Sequence, residues 1–212
     1  MKHKYQGDGL YRFKKFIPDV MKKEKSDAHF YLLLDSRWDK VIGEKVLDAG
    51  CGYGEFLNYN PRKLDVHGVD VKKSKHKKIK QCDLNKKIPF ENNTFDTVTA
   101  FHVLEHLKEP EMAIKEFNRV LKKDGRLVLS VPSHSFKKFF SDYTHVRPWP
   151  KRALYNILAA NGFKEIRITR GHHYSQVVNS LFFFYPKLRW NMEKILGKIA
   201  PWEITAIARC EK

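Results

Sequence analysis

Short apolar runs separated by polar turns recur along the chain, with segments of helical spacing between them. The runs predict strands at residues 45–49, 64–71, 79–83, 94–101, 126–131, 163–169 and 203–209. Helices are predicted over 54–59, 111–122 and 150–160, the last two beginning next to a proline. Strands that alternate with helices in this way predict a mostly parallel α/β sheet covered on both faces.

A single domain fits the composition, because 212 residues with 42% hydrophobic content are enough for one ample core. It divides into an N-terminal basic and aromatic lid (1–44), a core (45–170), an aromatic and basic insertion (171–202) and a last strand (203–212). No apolar stretch of about 18 residues and no leader-like N-terminus are present, so no membrane span is expected and a cytoplasmic protein is predicted.

Positive charge is the strongest compositional bias, with a formal net charge of +17 and six lysines within residues 72–80. Such a surface attracts nucleic acid or anionic lipid, although a solvated lysine-rich surface is an equal alternative. Aromatic side chains beside cations at 180–198 suit peripheral membrane contact or an apolar substrate pocket, while core packing is the commoner explanation. The three cysteines lack Cys-x-x-Cys spacing, which predicts buried, reduced thiols rather than disulfides or a zinc knuckle.

Residues 46–54, VLDAGCGYG, carry the clearest chemical signal, because an apolar strand delivers Asp48 into three alternating glycines. Glycine accepts backbone angles and close approaches that a Cβ forbids, and the next helix offers free N–H groups to a ligand. Asp70 ends the second strand 22 residues later, where an acid can accept hydrogen bonds from ribose hydroxyls. The pattern predicts a nucleotide-containing ligand at the carboxyl edge of the sheet.

The order of several motifs resembles that of class I S-adenosylmethionine-dependent methyltransferases, close to the ubiquinone-biosynthesis-type (methyltransferase type 11) group. The resemblance implies a Rossmann-like, doubly wound, mostly parallel seven-stranded sheet with an antiparallel last strand, and S-adenosylmethionine as cofactor. The motifs that carry it are VLDAGCGYG (46–54), GVD (68–70), CDL (82–84) with IPF (88–90), TFD (94–96), VLEHL (103–107), RVL (119–121) and DGRL (124–127).

The family's roles carry over to matching positions. The resemblance places Asp48 and the glycine turn at the methionine part of the cofactor, Asp70 at the ribose, and Asp83 with Leu84 at the adenine. Asp83 has an alternative role as a turn or capping acid, and Asp96 is interpreted as a buried ion-pair partner. The cofactor-binding residues predicted in this way are Asp48, Gly50, Cys51, Gly52, Tyr53, Gly54, Asp70, Val71, Asp83, Leu84, Phe101 and His102.

Methyl transfer to a hydroxyl or a protonated amine needs a base, and histidine is the natural one near neutral pH. The motifs place His102, His106 and His145 near the reactive end of the cofactor, so these three are the predicted catalytic residues. A structural role is the alternative for each. No metal is assigned, because Leu-Glu-His also occurs in relatives without one.

A metal site is nevertheless an alternative, in which His102, Glu105, His106 and His145 hold a divalent ion. This set resembles the sites of RNA 3′-end 2′-O-methyltransferases and of some quinone O-methyltransferases, with His102 in place of a glutamate. The acceptor predicted is a hydroxyl or amine of a small molecule or of a lipid- or glycan-linked compound. Nucleic acid is the alternative acceptor, and a non-catalytic binding module is a third.

Overall fold

The computed structural model describes residues 41–58, 63–133, 139–140, 142–170 and 203–212. Most of the N-terminal lid predicted over 1–44 and almost all of the insertion predicted over 171–202 lie outside the described residues. The assignment of both segments therefore stays a prediction.

Seven strands and three α-helices form in the described part of the chain, at positions close to those predicted. A one-turn 3-10 helix follows β4 at Leu104–His106. None of the described helices has the length and apolar character that a membrane span requires. The strands are β1 (Lys45–Ala49), β2 (Asp65–Asp70), β3 (Ile79–Gln81), β4 (Phe95–Phe101), β5 (Leu121–Pro132), β6 (Phe163–Arg170) and β7 (Glu203–Cys210), and the helices are α1 (Glu55–Asn58), α2 (Pro110–Val120) and α3 (Lys151–Ala160).

The strands form one sheet in the order β3-β2-β1-β4-β5-β7-β6. The pairs from β3 through β5 are parallel, whereas β7 lies between β5 and β6 and runs antiparallel to both. The predicted fold class is therefore confirmed, including the antiparallel last strand. Because β1 lies between β2 and β4, connections leave it toward both sides of the sheet, which is where ligands bind in open α/β sheets.

Apolar side chains are buried on both faces of the sheet, because successive residues of a strand point to opposite sides. Leu47 faces the larger core, which includes Phe117 of α2, whereas Val46 faces a smaller core with Phe56 of α1. The three cysteines are buried free thiols, as predicted. Helices on opposite faces thus hold the central strands rigidly, and the ends of these strands carry the predicted site.

The boundary between α2 and β5 differs from the prediction. The helix predicted over 111–122 ends two residues earlier, because Leu121 takes an extended conformation (φ −67°, ψ 145°) and pairs with Phe95 of β4. Pairing with β4 then shifts register and resumes between Thr97 and Arg126. A long-range strand contact therefore overrides the helical spacing of the local sequence.

Candidate functional site

The glycine turn after β1 is held against the end of β2. The backbone N–H groups of Gly50 and Cys51 both donate to the Val69 carbonyl, at 2.8 and 3.1 Å. Gly50, Gly52 and Gly54 all have positive φ, at 79°, 57° and 86°. Residues other than glycine rarely adopt this region, so the glycines allow the turn to form.

Close packing gives two of these glycines a second requirement. A Cβ on Gly50 would collide with a methyl group of Val103, and a Cβ on Gly54 would lie 2.6 Å from Cδ1 of Ile79. Both positions exclude any larger residue. The turn is therefore a narrow cradle, packed tightly against Val103 and Ile79, whose backbone conformation only glycine allows.

Asp70 ends β2 beside this turn, and its carboxylate is fixed by two backbone donors. The N–H of Gly52 donates to Oδ2 and the N–H of Lys72 donates to Oδ1, both at 2.8 Å. The residue is 9% exposed. A carboxylate offers about four lone-pair sites, so two remain to accept hydrogen bonds from a ligand.

Asp48, the acid that precedes the glycine turn, is almost completely buried. Thr99 of β4 donates its hydroxyl to Asp48 Oδ1 at 2.9 Å, across the pairing of β1 with β4. Sequence reasoning missed Thr99, because a threonine inside a strand carries no local signal of its partner. The pair fixes Asp48 beneath the turn.

Asp83 and Asp96 both have structural partners. Asp83 Oδ1 accepts from the backbone N–H and the side chain of Asn85, which lowers the pKa of Asp83 and makes it a turn acid. Asp96 accepts from the Lys45 N–H at 2.9 Å and from Lys122 Nζ at 2.6 Å, so the predicted ion pair is present, but the Asp96 side chain is 30% exposed rather than buried. The turn that Asp83 forms leads directly into Leu84, which is buried.

Two predicted cofactor residues present apolar surface beside Asp70. Tyr53 is 66% exposed, Val71 is also exposed, and the ammonium group of Lys72 lies 5.3 Å from the ring centroid of Tyr53. Cys51, by contrast, is buried, and its backbone N–H donates to the Val69 carbonyl. The edge of the site is therefore apolar and cationic.

Phe101 ends β4 at the same edge of the sheet, and His102 follows it. Phe101 packs against the smaller core, whereas the His102 side chain is 46% exposed. His102 has a positive φ of 52° and donates its N–H to the Ser130 carbonyl at 3.0 Å. A left-handed histidine stores strain that is common at functional sites. Its Nδ1 lies 3.4 Å from Oε1 of the buried Glu105.

His106 and His145 lie deeper, packed against each other with ring centroids 4.8 Å apart. His106 Nδ1 contacts the Thr144 hydroxyl at 3.0 Å, and His145 Nδ1 lies 2.7 Å from the Phe139 carbonyl. One ligand atom from each of Glu105, His106 and His145 lies within 4.8 Å of the others. The structure thus brings Glu105, His106 and His145 into one cluster, in which both rings are partly buried, while His102 contacts the cluster through Glu105.

Sequence reasoning missed the two residues that orient these rings, Thr144 and Phe139. Thr144 acts through its hydroxyl and Phe139 through its backbone carbonyl. Every residue has a backbone carbonyl, so the residue type of Phe139 does not reveal that it accepts a hydrogen bond from His145. Only the path of the chain after β5 reveals it.

A family model described as a methyltransferase domain matches residues 4–168. Among curated relatives, a demethylmenaquinone methyltransferase of Renibacterium salmoninarum is 32% identical over 51% of this chain and 53% of its own length. A probable tRNA methyltransferase 9B of Mus musculus is 30% identical over 64% of this chain and 31% of its own. The chain spans about a third to a half of the length of the curated relatives it matches.

A solved structure supports the fold. A SAM-dependent methyltransferase from Archaeoglobus fulgidus superposes with a TM-score of 0.64, covering 94% of this chain and 98% of that one, at 21% identity. At this level of identity the likeness concerns the architecture, which is the seven-stranded sheet described above.

Proposed function

This chain belongs to the methyltransferase domain family, and on that premise we propose that it transfers the methyl group of S-adenosylmethionine to a hydroxyl or an amine. The single observation that carries the proposal is the pairing of the glycine turn with Asp70. The turn leaves no space for side chains, and the fixed carboxylate keeps two acceptor sites for vicinal hydroxyls.

The residues present fit this cofactor. Asp70 would accept from both ribose hydroxyls, and the backbone of the turn at 50–54, supported by Asp48, would lie against the methionine part. The turn at Asp83 and Leu84 would border the adenine. Tyr53 and Val71, which are exposed beside Asp70, would flank the bound nucleoside.

The cofactor, when bound, supplies a methyl group on a positively charged sulfur. The acceptor's lone pair forms a bond to the methyl carbon as the carbon–sulfur bond breaks, and the acceptor's proton leaves. The protein mainly has to align the two reactants and exclude water. The rigid ends of β1, β2 and β4 suit this task, because both faces of the sheet are packed.

His102 is the proposed acceptor of the proton. It is the most exposed of the three predicted catalytic histidines, and it follows the strand beside the glycine turn. Its Nδ1 faces the Glu105 carboxylate, which favours a hydrogen on Nδ1 and leaves the Nε2 lone pair for the substrate. Removing the ring by His102→Gln is expected to lower kcat about 10²–10⁴-fold while the cofactor Kd stays unchanged.

We propose a small-molecule or lipid- or glycan-linked acceptor of apolar character. Tyr143 is 88% exposed, and Phe140 and Val146 are also exposed, in the segment that carries His145. Apolar side chains beside a reactive edge suit a substrate with an apolar body. The relative named as a demethylmenaquinone methyltransferase supports the same class.

Nucleic acid is the second candidate acceptor. Lys73, Lys75 and Lys77 are exposed in the segment after Asp70, and the net charge is +17. Other lysines of this segment bind the domain itself, since Lys78 pairs with Asp65 at 2.7 Å. The relative named as a probable tRNA methyltransferase also favours this class.

The deciding experiment offers the purified protein labelled S-adenosylmethionine together with separate lipid, small-molecule, glycan and RNA extracts. Label in the lipid or small-molecule fraction is the expected result. Label confined to RNA, lost after ribonuclease and steeply reduced by salt, would establish the second candidate. No label in any fraction, with the Asp70→Ala variant as blank, would contradict both.

A further inference from the structure

Behind His102, the carboxylate of Glu105 and the imidazoles of His106 and His145 meet in one cluster. One ligand atom from each lies within 4.8 Å of the other two. We propose that these three residues bind one divalent transition-metal ion of the zinc class. The proposal differs from the sequence-based expectation of no metal, and it does not depend on the methyl donor or the acceptor.

Glu105 gives the first argument, because its side chain is 0% exposed. Neither carboxylate oxygen accepts a hydrogen bond within the part of the chain that the structure describes. His102 Nδ1 lies 3.4 Å from Oε1 and forms an ion pair with it only when the imidazole is protonated. Burying an ionised carboxylate without hydrogen bonds is costly. A metal ion compensates this cost with a full positive charge and a direct bond.

The second argument is the orientation of the two imidazoles. His145 Nδ1 lies 2.7 Å from the Phe139 carbonyl, which can only accept, so Nδ1 carries the hydrogen. The Thr144 hydroxyl donates to Asp142 at 2.6 Å and therefore accepts from His106 Nδ1, 3.0 Å away. Both rings are thus held as the tautomer whose Nε2 has a free lone pair.

This arrangement is the one that metal-binding histidines require. A ligating imidazole almost always donates its other N–H to a carbonyl, a carboxylate or a similar acceptor, which fixes the ring toward the ion. Here a backbone carbonyl serves His145, and a hydroxyl that is itself bonded to Asp142 serves His106. Two independent partners therefore prepare the same cluster.

The donor set selects the class of metal. Two imidazole nitrogens and one carboxylate oxygen match the set of catalytic zinc sites, which keep a further position open. Magnesium and calcium prefer oxygen ligands, of which this cluster has too few. Donors around zinc lie about 3.3 Å apart, given bonds of about 2.0–2.2 Å, so the three atoms must approach by at most about 1.5 Å. Side-chain rotation is sufficient for this.

The site also has a defined relation to the proposed reaction. Oε1 of Glu105 faces His102, and the carboxylate has a second oxygen for the ion. An ion bound to that second oxygen would be linked to His102 through the Glu105 carboxylate, and a metal ion can act as a Lewis acid toward an acceptor oxygen. Asp142 Oδ2, 4.0 Å from His145 Nε2, is a further oxygen at the rim.

The test measures binding of zinc chloride alone to chelator-treated full-length protein, by calorimetry and by metal analysis after gel filtration. We expect one ion per chain. Cobalt(II) in place of zinc is expected to give the visible absorption of a site with nitrogen and oxygen ligands.

Three variants sharpen the measurement. His145→Asn keeps a donor for the Phe139 carbonyl but removes Nε2, and Glu105→Gln keeps the shape but removes the charge. Each is expected to raise the zinc Kd at least about 10-fold. The matched control Glu109→Gln changes an exposed glutamate outside the cluster and is expected to leave the Kd unchanged.

Thermal melting separates binding from folding. Without metal, Glu105→Gln is expected to melt at or above the wild-type temperature, because it removes a buried charge; zinc is expected to raise the melting temperature of wild type alone. Any of three results would overturn the proposal. The wild type could bind no zinc, or Glu105→Gln and His145→Asn could bind zinc with wild-type affinity. Zinc could also raise the melting temperature of Glu105→Gln as much as that of the wild type. Methyl transfer is assayed separately, so the zinc-binding measurement can be interpreted even if the protein shows no methyltransferase activity.

Discussion

Replacing Asp70 by alanine tests the cofactor assignment most directly. The carboxylate accepts from Gly52 N–H and Lys72 N–H at 2.8 Å each, so it is already fixed before any ligand arrives. The two remaining acceptor sites are those we assign to the ribose hydroxyls. Asp70→Ala removes both ligand bonds and also frees the loop after β2.

The size of the effect follows from these bonds. A hydrogen bond to a charged group contributes about 1.5–3 kcal/mol, so the loss of two costs about 3–6 kcal/mol of binding free energy. That loss raises the Kd by about 10²–10⁴-fold. The effect on folding is smaller, because Lys72 is exposed and water can replace the acceptor that its N–H loses.

Calorimetry with S-adenosylmethionine measures this change, and urea unfolding checks that the variant is folded. Asp65→Ala is the matched control, since Asp65 starts the same strand and pairs with Lys78 away from the glycine turn. Its cofactor affinity is expected to stay within about threefold of wild type. If folded Asp70→Ala also stayed within that range, the cofactor assignment would be refuted.

Three further predictions follow from the same structure. Gly50→Ala is expected to cost about 1–3 kcal/mol in urea unfolding and to abolish cofactor binding, because its Cβ would meet Val103 and its φ is 79°; unchanged stability would contradict the cradle. Burial raises the pKa of Glu116, but hydrogen bonds from Arg119 and the Ile88 N–H outweigh it and lower the pKa below its ordinary 4.5. This pair therefore stabilises the fold above pH 4.5 and loses its effect as pH falls through the lowered value. Glu116→Gln is expected to lose about 1.5–3 kcal/mol at neutral pH, with a gap to wild type that narrows in acid; a constant gap would contradict the pairing. Deleting residues 1–30 is expected to abolish turnover while circular dichroism still reports the folded core, and full activity would exclude the lid.

Much of the fold could be predicted because its signals are local. Apolar runs bounded by turns predicted seven strands, and all seven are present in the described residues. The antiparallel last strand came from the resemblance rather than from periodicity, and the strand order came only from the structure. The end of α2 was misplaced, because the contact of Leu121 with Phe95 joins residues distant in sequence.

Some residues of the candidate site could also be predicted from local sequence, whereas others depend on contacts between distant segments. The glycines after β1 and Asp70 are readable in sequence because each answers a local need, namely backbone freedom and charge at a strand end. That Thr99 fixes Asp48 depends on how two strands pair.

The sequence by itself determined the fold class, the glycine turn and the acids at the ends of the strands. Only the tertiary structure decided that Glu105 is buried without a hydrogen bond among the described residues, and that the Nδ1 atoms of His106 and His145 have partners that leave the Nε2 lone pairs free. The physical reason is that burial and tautomer depend on neighbours supplied by distant segments. Residue type alone does not specify them.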